Sequence, residues 1–122
     1  MSHYAFMQTY EGRPHFEEGV HVRLWLDDER PAPEGWTRVY NQFQAIFMLE
    51  AAAKEGFVVD AISLDHDLGP NAGDGYQVAC WLEQQASMNR GIPDELYCHS
   101  ANSVGRARIL QAFDSIRRIQ ES

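Results

Sequence analysis

The chain has 122 residues, 44% hydrophobic and 23% charged, with a formal net charge of −8 at pH 7. That length suits one domain able to bury a single core without covalent staples. The acidic balance excludes a free surface for duplex DNA, because phosphate contacts need clustered Lys and Arg, but it allows a small anion held by a cation and two or three arginines. Cys80 and Cys98 lie in apolar segments without CxxC spacing and read as buried thiols rather than a disulfide. No run approaches the roughly 20 apolar residues of a membrane span, and no export pattern opens the chain, so the expectation is a cytoplasmic protein without membrane contact.

Residues 1–20 show no sustained period and carry Gly12, Pro14 and Gly19. They read as an N-terminal arm with a short strand at Tyr4–Thr9, ahead of a domain spanning 21–122. Residues 21–26 form a first core strand, nearly continuous in apolar character, as buried parallel strands are. Pro31, Pro33 and Gly35 then break the chain and leave no room for a helix before Trp36.

Thr37–Tyr40 reads as a second short strand, and Asn41 caps a helix carrying Phe43, Ile46, Phe47 and Leu49 at helical spacing, ended by Gly56. Val58–Leu64 is the third strand. Gly69–Gly75 is a loop, and the helix after it turns Tyr76, Val78, Ala79, Trp81, Leu82 and Gln85 inward. Glu95–His99 is the fourth strand. The last helix runs from about Val104 to Ile119, with Ile109, Leu110, Phe113 and Ile116 inward. This order predicts an α/β domain with a mostly parallel sheet of about four strands and right-handed crossovers.

Two of these strands stop on acid. Asp27 and Asp28 follow the first, and Asp65 and Asp67 follow the third, two residues apart and so able to share a side if the strand continues. The C-terminal edge of an open α/β sheet is where ligands bind. Four carboxylates crowded there repel one another and call for a cation; hard oxygen ligands suit Mg²⁺, or Mn²⁺ with its tolerance of imidazole. Less specific roles are open to each: Asp27 or Asp28 pairing with Arg30, Asp67 capping a turn. Glu29 either joins the site or faces solvent, and His66 points to the other side from its flanking acids unless the chain turns there.

The fourth strand ends in Cys98-His99-Ser100-Ala101-Asn102, which brings an imidazole, a hydroxyl and an amide to the same edge. Ser100 and Asn102 serve as helix caps or as ligand contacts, Arg106 lies about one turn into the helix, and His99 is either structural or a general acid or base. His3, His15 and His21 have no ligand spacing, and the Gly69–Gly75 loop lacks the Gly-Lys-Ser/Thr of a P-loop. Trp25 and Trp81 read as core, and Trp36 as a cover for the crevice.

An Asp-Asp pair after strand one, an Asp after strand three and Asp-Gly-Tyr opening a helix resemble the receiver domain of two-component signalling. Within that superfamily LDDERPAP, SLDHDLG and HSAN followed by Gly105-Arg106 resemble the cyclic-phosphate-processing receiver domains, over about residues 21–118. The resemblance implies a flavodoxin-like three-layer sandwich, truncated here. The helix between strands one and two is missing, as are the fifth strand and the lysine before it; Lys54 is the only lysine.

The resemblance further implies processing of a cyclic phosphate, such as a cyclic nucleotide or a 2′,3′-cyclic end, and the acid cluster makes metal-dependent hydrolysis the expected route. The metal, Mg²⁺ or Mn²⁺, would be held by Asp27, Asp28, Asp65 and Asp67, with Asp65, His66 and His99 catalytic and Arg30, Ser100, Asn102 and Arg106 binding phosphate. Two other readings stand beside it: a phospho-accepting receiver with Asp65 as acceptor, disfavoured by the missing lysine, and a non-catalytic binder of a cyclic nucleotide or a protein. The exposed edge of so small a sheet also leaves room for a homodimer.

Overall fold

The computed structural model describes residues 8–10, 13–15, 21–67 and 74–121. β1 (Gln8–Tyr10) and β2 (Arg13–His15) form an antiparallel pair. The expected strand at Tyr4–Thr9 thus overlaps β1 only at its end, and Tyr4–Met7 lie outside the described residues. No strand was expected at Arg13–His15, which contains Pro14; there Pro14 stands opposite Thr9 in the antiparallel pair.

The main sheet contains β3 (Arg23–Leu26), β4 (Thr37–Val39), β5 (Ala61–Leu64) and β6 (Glu95–Cys98), ordered β4-β3-β5-β6 and parallel throughout. Three helices accompany it: α1 (Gln42–Lys54), α2 (Gly75–Ser87) and α3 (Ser103–Glu121). None of the described helices is long and apolar enough to cross a membrane. The path from β4 through α1 to β5 and from β5 through α2 to β6 runs in one direction, so right-handed crossovers put both helices on the same face. α3 packs beside α2. The step from β3 back to β4 would have carried a helix to the other face, but Pro31, Pro33 and Gly35 occupy that connection and no helix forms. The described helices therefore supply one of the two outer layers of a receiver-like sandwich.

Strand alternation sorts the side chains accordingly. Leu24, Leu26, Ile62 and Leu64 are fully buried toward the helices, against Ala45, Met48, Leu49 and Ala52 of α1, Val78, Ala79 and Leu82 of α2, and Ile109, Phe113 and Ile116 of α3. Truncating any one of these large side chains to Ala costs about 2–5 kcal/mol. The opposite face carries the register-matched row Trp25, Ser63 and Tyr97, with Trp36 edge-on to both Trp25 and Tyr97. Trp36 thus covers Trp25, and Trp25 belongs to this face rather than to the helix-side core.

Several expected boundaries shift. β5 begins at Ala61, because the ladder opens where Asp60 N–H reaches the Val22 carbonyl and Val58–Val59 precede it. Gly75 opens α2 instead of closing a loop: Asp74 is the N-cap and its carboxylate accepts from Gln77 N–H. On α1 the buried positions are the small or flexible ones, and Phe43 and Phe47 stay 63% and 55% exposed. Leu110 is likewise exposed; the inward stripe of α3 is Ile109, Ala112, Phe113 and Ile116. Cys80 and Cys98 are free thiols, each half-buried.

Candidate functional site

The C-terminal ends of β3, β5 and β6 meet in register, Leu26 beside Leu64 beside Cys98, so the next residues Asp27, Asp65 and His99 emerge together. Each main chain is pinned to its neighbour: Asp27 N–H to the Val39 carbonyl, Asp65 N–H to Leu26, and His99 N–H to Leu64. Asp27, Asp65 and His99 each offer an atom within 4.8 Å of the others.

Asp27 is fully buried. Its Oδ1 accepts the N–H groups of Glu29 and Arg30, both at 2.9 Å, closing a turn that short polar side chains, Asp and Asn above all, make. Its Oδ2 lies 3.2 Å from His99 Nε2 and 3.6 Å from Arg30 Nε. Burial alone would raise its pKa, but the two N–H groups, His99 and Arg30 outweigh it and hold the carboxyl below its ordinary range.

Asp65 sits in the opposite state. Burial first, and the Asp27 charge second, push its pKa up, against weaker help from Arg30, a Ser100 hydrogen bond and the His66 N–H. Ser100 is itself buried, and its Oγ also accepts the Asn102 N–H.

His99 is gripped on three sides. Nδ1 is 2.7 Å from Ser63 Oγ, Nε2 faces Asp27, and the Trp25 indole stacks on the ring at 3.7 Å between centroids and 9° between planes. Burial lowers its pKa despite the opposing pull of Asp27.

The remaining expected site residues fall around this group. The strand ends at Leu64, so the two-residue alternation does not extend to Asp67. Its exposed carboxylate accepts from His66 Nδ1 at 3.0 Å and Asn102 Nδ2 at 3.2 Å, and these bonds hold its pKa low. Asn102 Oδ1 accepts the Gly105 N–H and caps α3, which is the capping role its residue type allows. The His66 ring packs so tightly on Gly105 that a Cβ there would overlap it, and among the described residues its buried Nε2 has no partner. Gly75 is under the same constraint against the Asp65 carbonyl.

Arg30 Nη1 reaches the His99 carbonyl at 3.3 Å, and Arg106 Nη1 reaches that of Cys98 at 2.9 Å. Asp28 is half-buried and lies outside the three-residue group, and Glu29 faces solvent. Residues 68–73, most of the expected loop, lie outside the described residues.

Ser63 was not anticipated. Its one signal was a lone hydroxyl inside the otherwise apolar run Ala61-Ile62-Ser63-Leu64, on the register row of Trp25. The donor set of two carboxylates and one imidazole fits a divalent cation, with the nitrogen favouring Mn²⁺ over Mg²⁺, and a cation would offset the repulsion between the Asp27 and Asp65 carboxylates.

A family model described as cyclic-phosphate processing receiver domain matches residues 22–115. No curated protein and no solved structure matches the chain.

Proposed function

The chain belongs to the cyclic-phosphate processing receiver family, and from that premise we propose that it is a metal-dependent hydrolase of a cyclic phosphodiester, such as a cyclic nucleotide or a 2′,3′-cyclic end. The observation that supports this most is the convergence of Asp27, Asp65 and His99 at one sheet edge, where burial and then the Asp27 charge raise the pKa of Asp65. Asp27, Asp65 and His99 Nε2 would hold the cation, which when bound supplies Lewis-acid stabilisation of phosphoryl charge.

Hydrolysis breaks one ring P–O bond, forms a P–O bond to water, and moves one water proton to the leaving ring oxygen. Arg30, half-exposed beside Asp27, is placed to bind a phosphoryl oxygen as charge grows. His99 has both nitrogens engaged, whereas His66 has its Nδ1 fixed by Asp67 and its Nε2 unpartnered among the described residues. In this reading His66 carries the proton through Nε2, which must open from its buried position against α3, while Asp67 orients the ring at Nδ1.

The test incubates the chain with Mn²⁺ and a panel of 2′,3′- and 3′,5′-cyclic nucleotides, following products by ³¹P NMR. Conversion to a monoester that is lost in Asp65→Asn supports hydrolysis. Tight binding without product would make the protein a binder instead. Labelling of Asp65 by acetyl phosphate would make it a phospho-accepting receiver.

A further inference from the structure

We propose that Ser63 is the positioning residue that lets His99 turn its Nε2 lone pair toward the Asp27–Asp65 pair when a divalent cation arrives. The inference rests on the cation site of the function proposed above. Ser63 alternates away from Ile62 and Leu64, onto the face shared with Trp25, and is only 3% exposed. A hydroxyl so buried needs a partner, and its Oγ lies 2.7 Å from His99 Nδ1. The stacked Trp25 indole fixes the plane of the ring, so the two nitrogens are confined to Ser63 on one side and the acids on the other.

A hydroxyl both donates and accepts, which a carbonyl, a carboxylate or a methyl group does not. Without a cation, Nε2–H donates to Asp27 and Ser63 donates its O–H to Nδ1. With a cation at the acids, Nε2 must offer its lone pair. The single proton of the neutral ring then resides on Nδ1 and is donated to Ser63 Oγ, so the ring proton count is unchanged. Ser63 accommodates both arrangements by rotating its O–H away from Nδ1 in the second, with no heavy atom moved. Groups in this position behind a metal-binding His typically account for about 10–100-fold in metal affinity.

The experiment uses the full chain. Long-range ¹H–¹⁵N NMR of the His99 ring, without cation and then saturated with diamagnetic Mg²⁺, should show the proton moving from Nε2 to Nδ1. A proton that stays on Nε2 in the Mg²⁺ form overturns the proposal. Mn²⁺ affinity should fall about 10–100-fold in Ser63→Ala and stay close to wild type in Ser63→Thr, which keeps the hydroxyl. The Ser63→Ala loss should disappear in a His99→Ala background; an equal loss there means that Ser63 does not act through His99. If Ser63→Ala does not fold, the NMR experiment on the wild-type chain and the Thr variant still decide. Mn²⁺ binding with normal Ser63 dependence but no turnover of any cyclic phosphate would end the hydrolase reading and leave this one standing.

Discussion

Asp27 and Asp65 follow directly on Leu26 and Leu64, which pair across neighbouring strands, yet their carboxyls are driven in opposite directions. Burial opposes ionisation at both. At Asp27 the Glu29 and Arg30 N–H groups, His99 and Arg30 overcome it; at Asp65 the Asp27 charge adds to it. A cation must displace whatever proton Asp65 retains, so Mn²⁺ affinity should fall with decreasing pH at a higher pH than an ordinary carboxylate near about 3.9 would give. Asp27→Asn removes the like charge and should move that fall to lower pH, besides weakening binding. Mn²⁺ titrations across the acid range measure both, and a fall centred on the ordinary carboxylate value would contradict the pairing.

The same shifts set the sign of stability against pH in the cation-free chain. Asp65 binds its proton more tightly folded than unfolded, so its contribution declines as pH rises from the unfolded value, about 3.9, through the raised folded one. Asp27 acts in reverse: its contribution is present above the unfolded value and is lost as pH falls toward the lowered folded one. Urea unfolding at stepped pH should therefore show Asp65→Asn more stable than wild type at neutral pH without cation, and a given Mn²⁺ concentration should stabilise wild type more than the variant. A variant less stable than wild type at neutral pH would show that no repulsion is stored there.

Much of this arrangement was legible before any coordinates. Acid-ended apolar runs mark strands and their C-terminal edge, and the pattern Leu26-Asp27 with Leu64-Asp65 survives as a register pair. What alternation could not give was the chain beyond Leu64. A strand that ends frees its next residues to turn, so Asp67 swings out to His66 and Asn102 instead of joining Asp65. Trp25 was misplaced because an apolar strand does not tell which face a helix will cover; the missing β3–β4 helix decides that. Phe43 and Phe47 satisfied helical spacing, but the seam chose Ala45 and Ala52 beside Met48 and Leu49, where small residues admit close approach.

Gly105 and His66 provide a test of packing. Ala ordinarily favours a helix interior over Gly by about 1 kcal/mol, so Gly105→Ala would stabilise α3 if space allowed. The His66 ring fills that space, and overpacking typically costs about 1–3 kcal/mol. Gly105→Ala should thus lower stability in urea unfolding, and the double variant with His66→Ala should recover it. Additive losses in the double variant would mean that the ring and α3 do not compete for the space.

Asp67 and Asp65 are the decisive pair for what holds a cation. Asp67 is exposed and its oxygens are spent on His66 and Asn102, while Asp65 is buried within reach of Asp27 and His99. Asp67→Asn removes a solvent-screened charge, worth at most about 1 kcal/mol or roughly fivefold in Mn²⁺ affinity. Asp65→Asn removes a charged oxygen from the group itself and should cost at least about tenfold. Turnover should respond differently. If His66 carries the proton, Asp67→Asn frees its ring to take another orientation, and kcat should fall while Mn²⁺ affinity holds. Equal losses of Mn²⁺ affinity in the two variants, measured by titration at one pH, would place Asp67 on the cation after all.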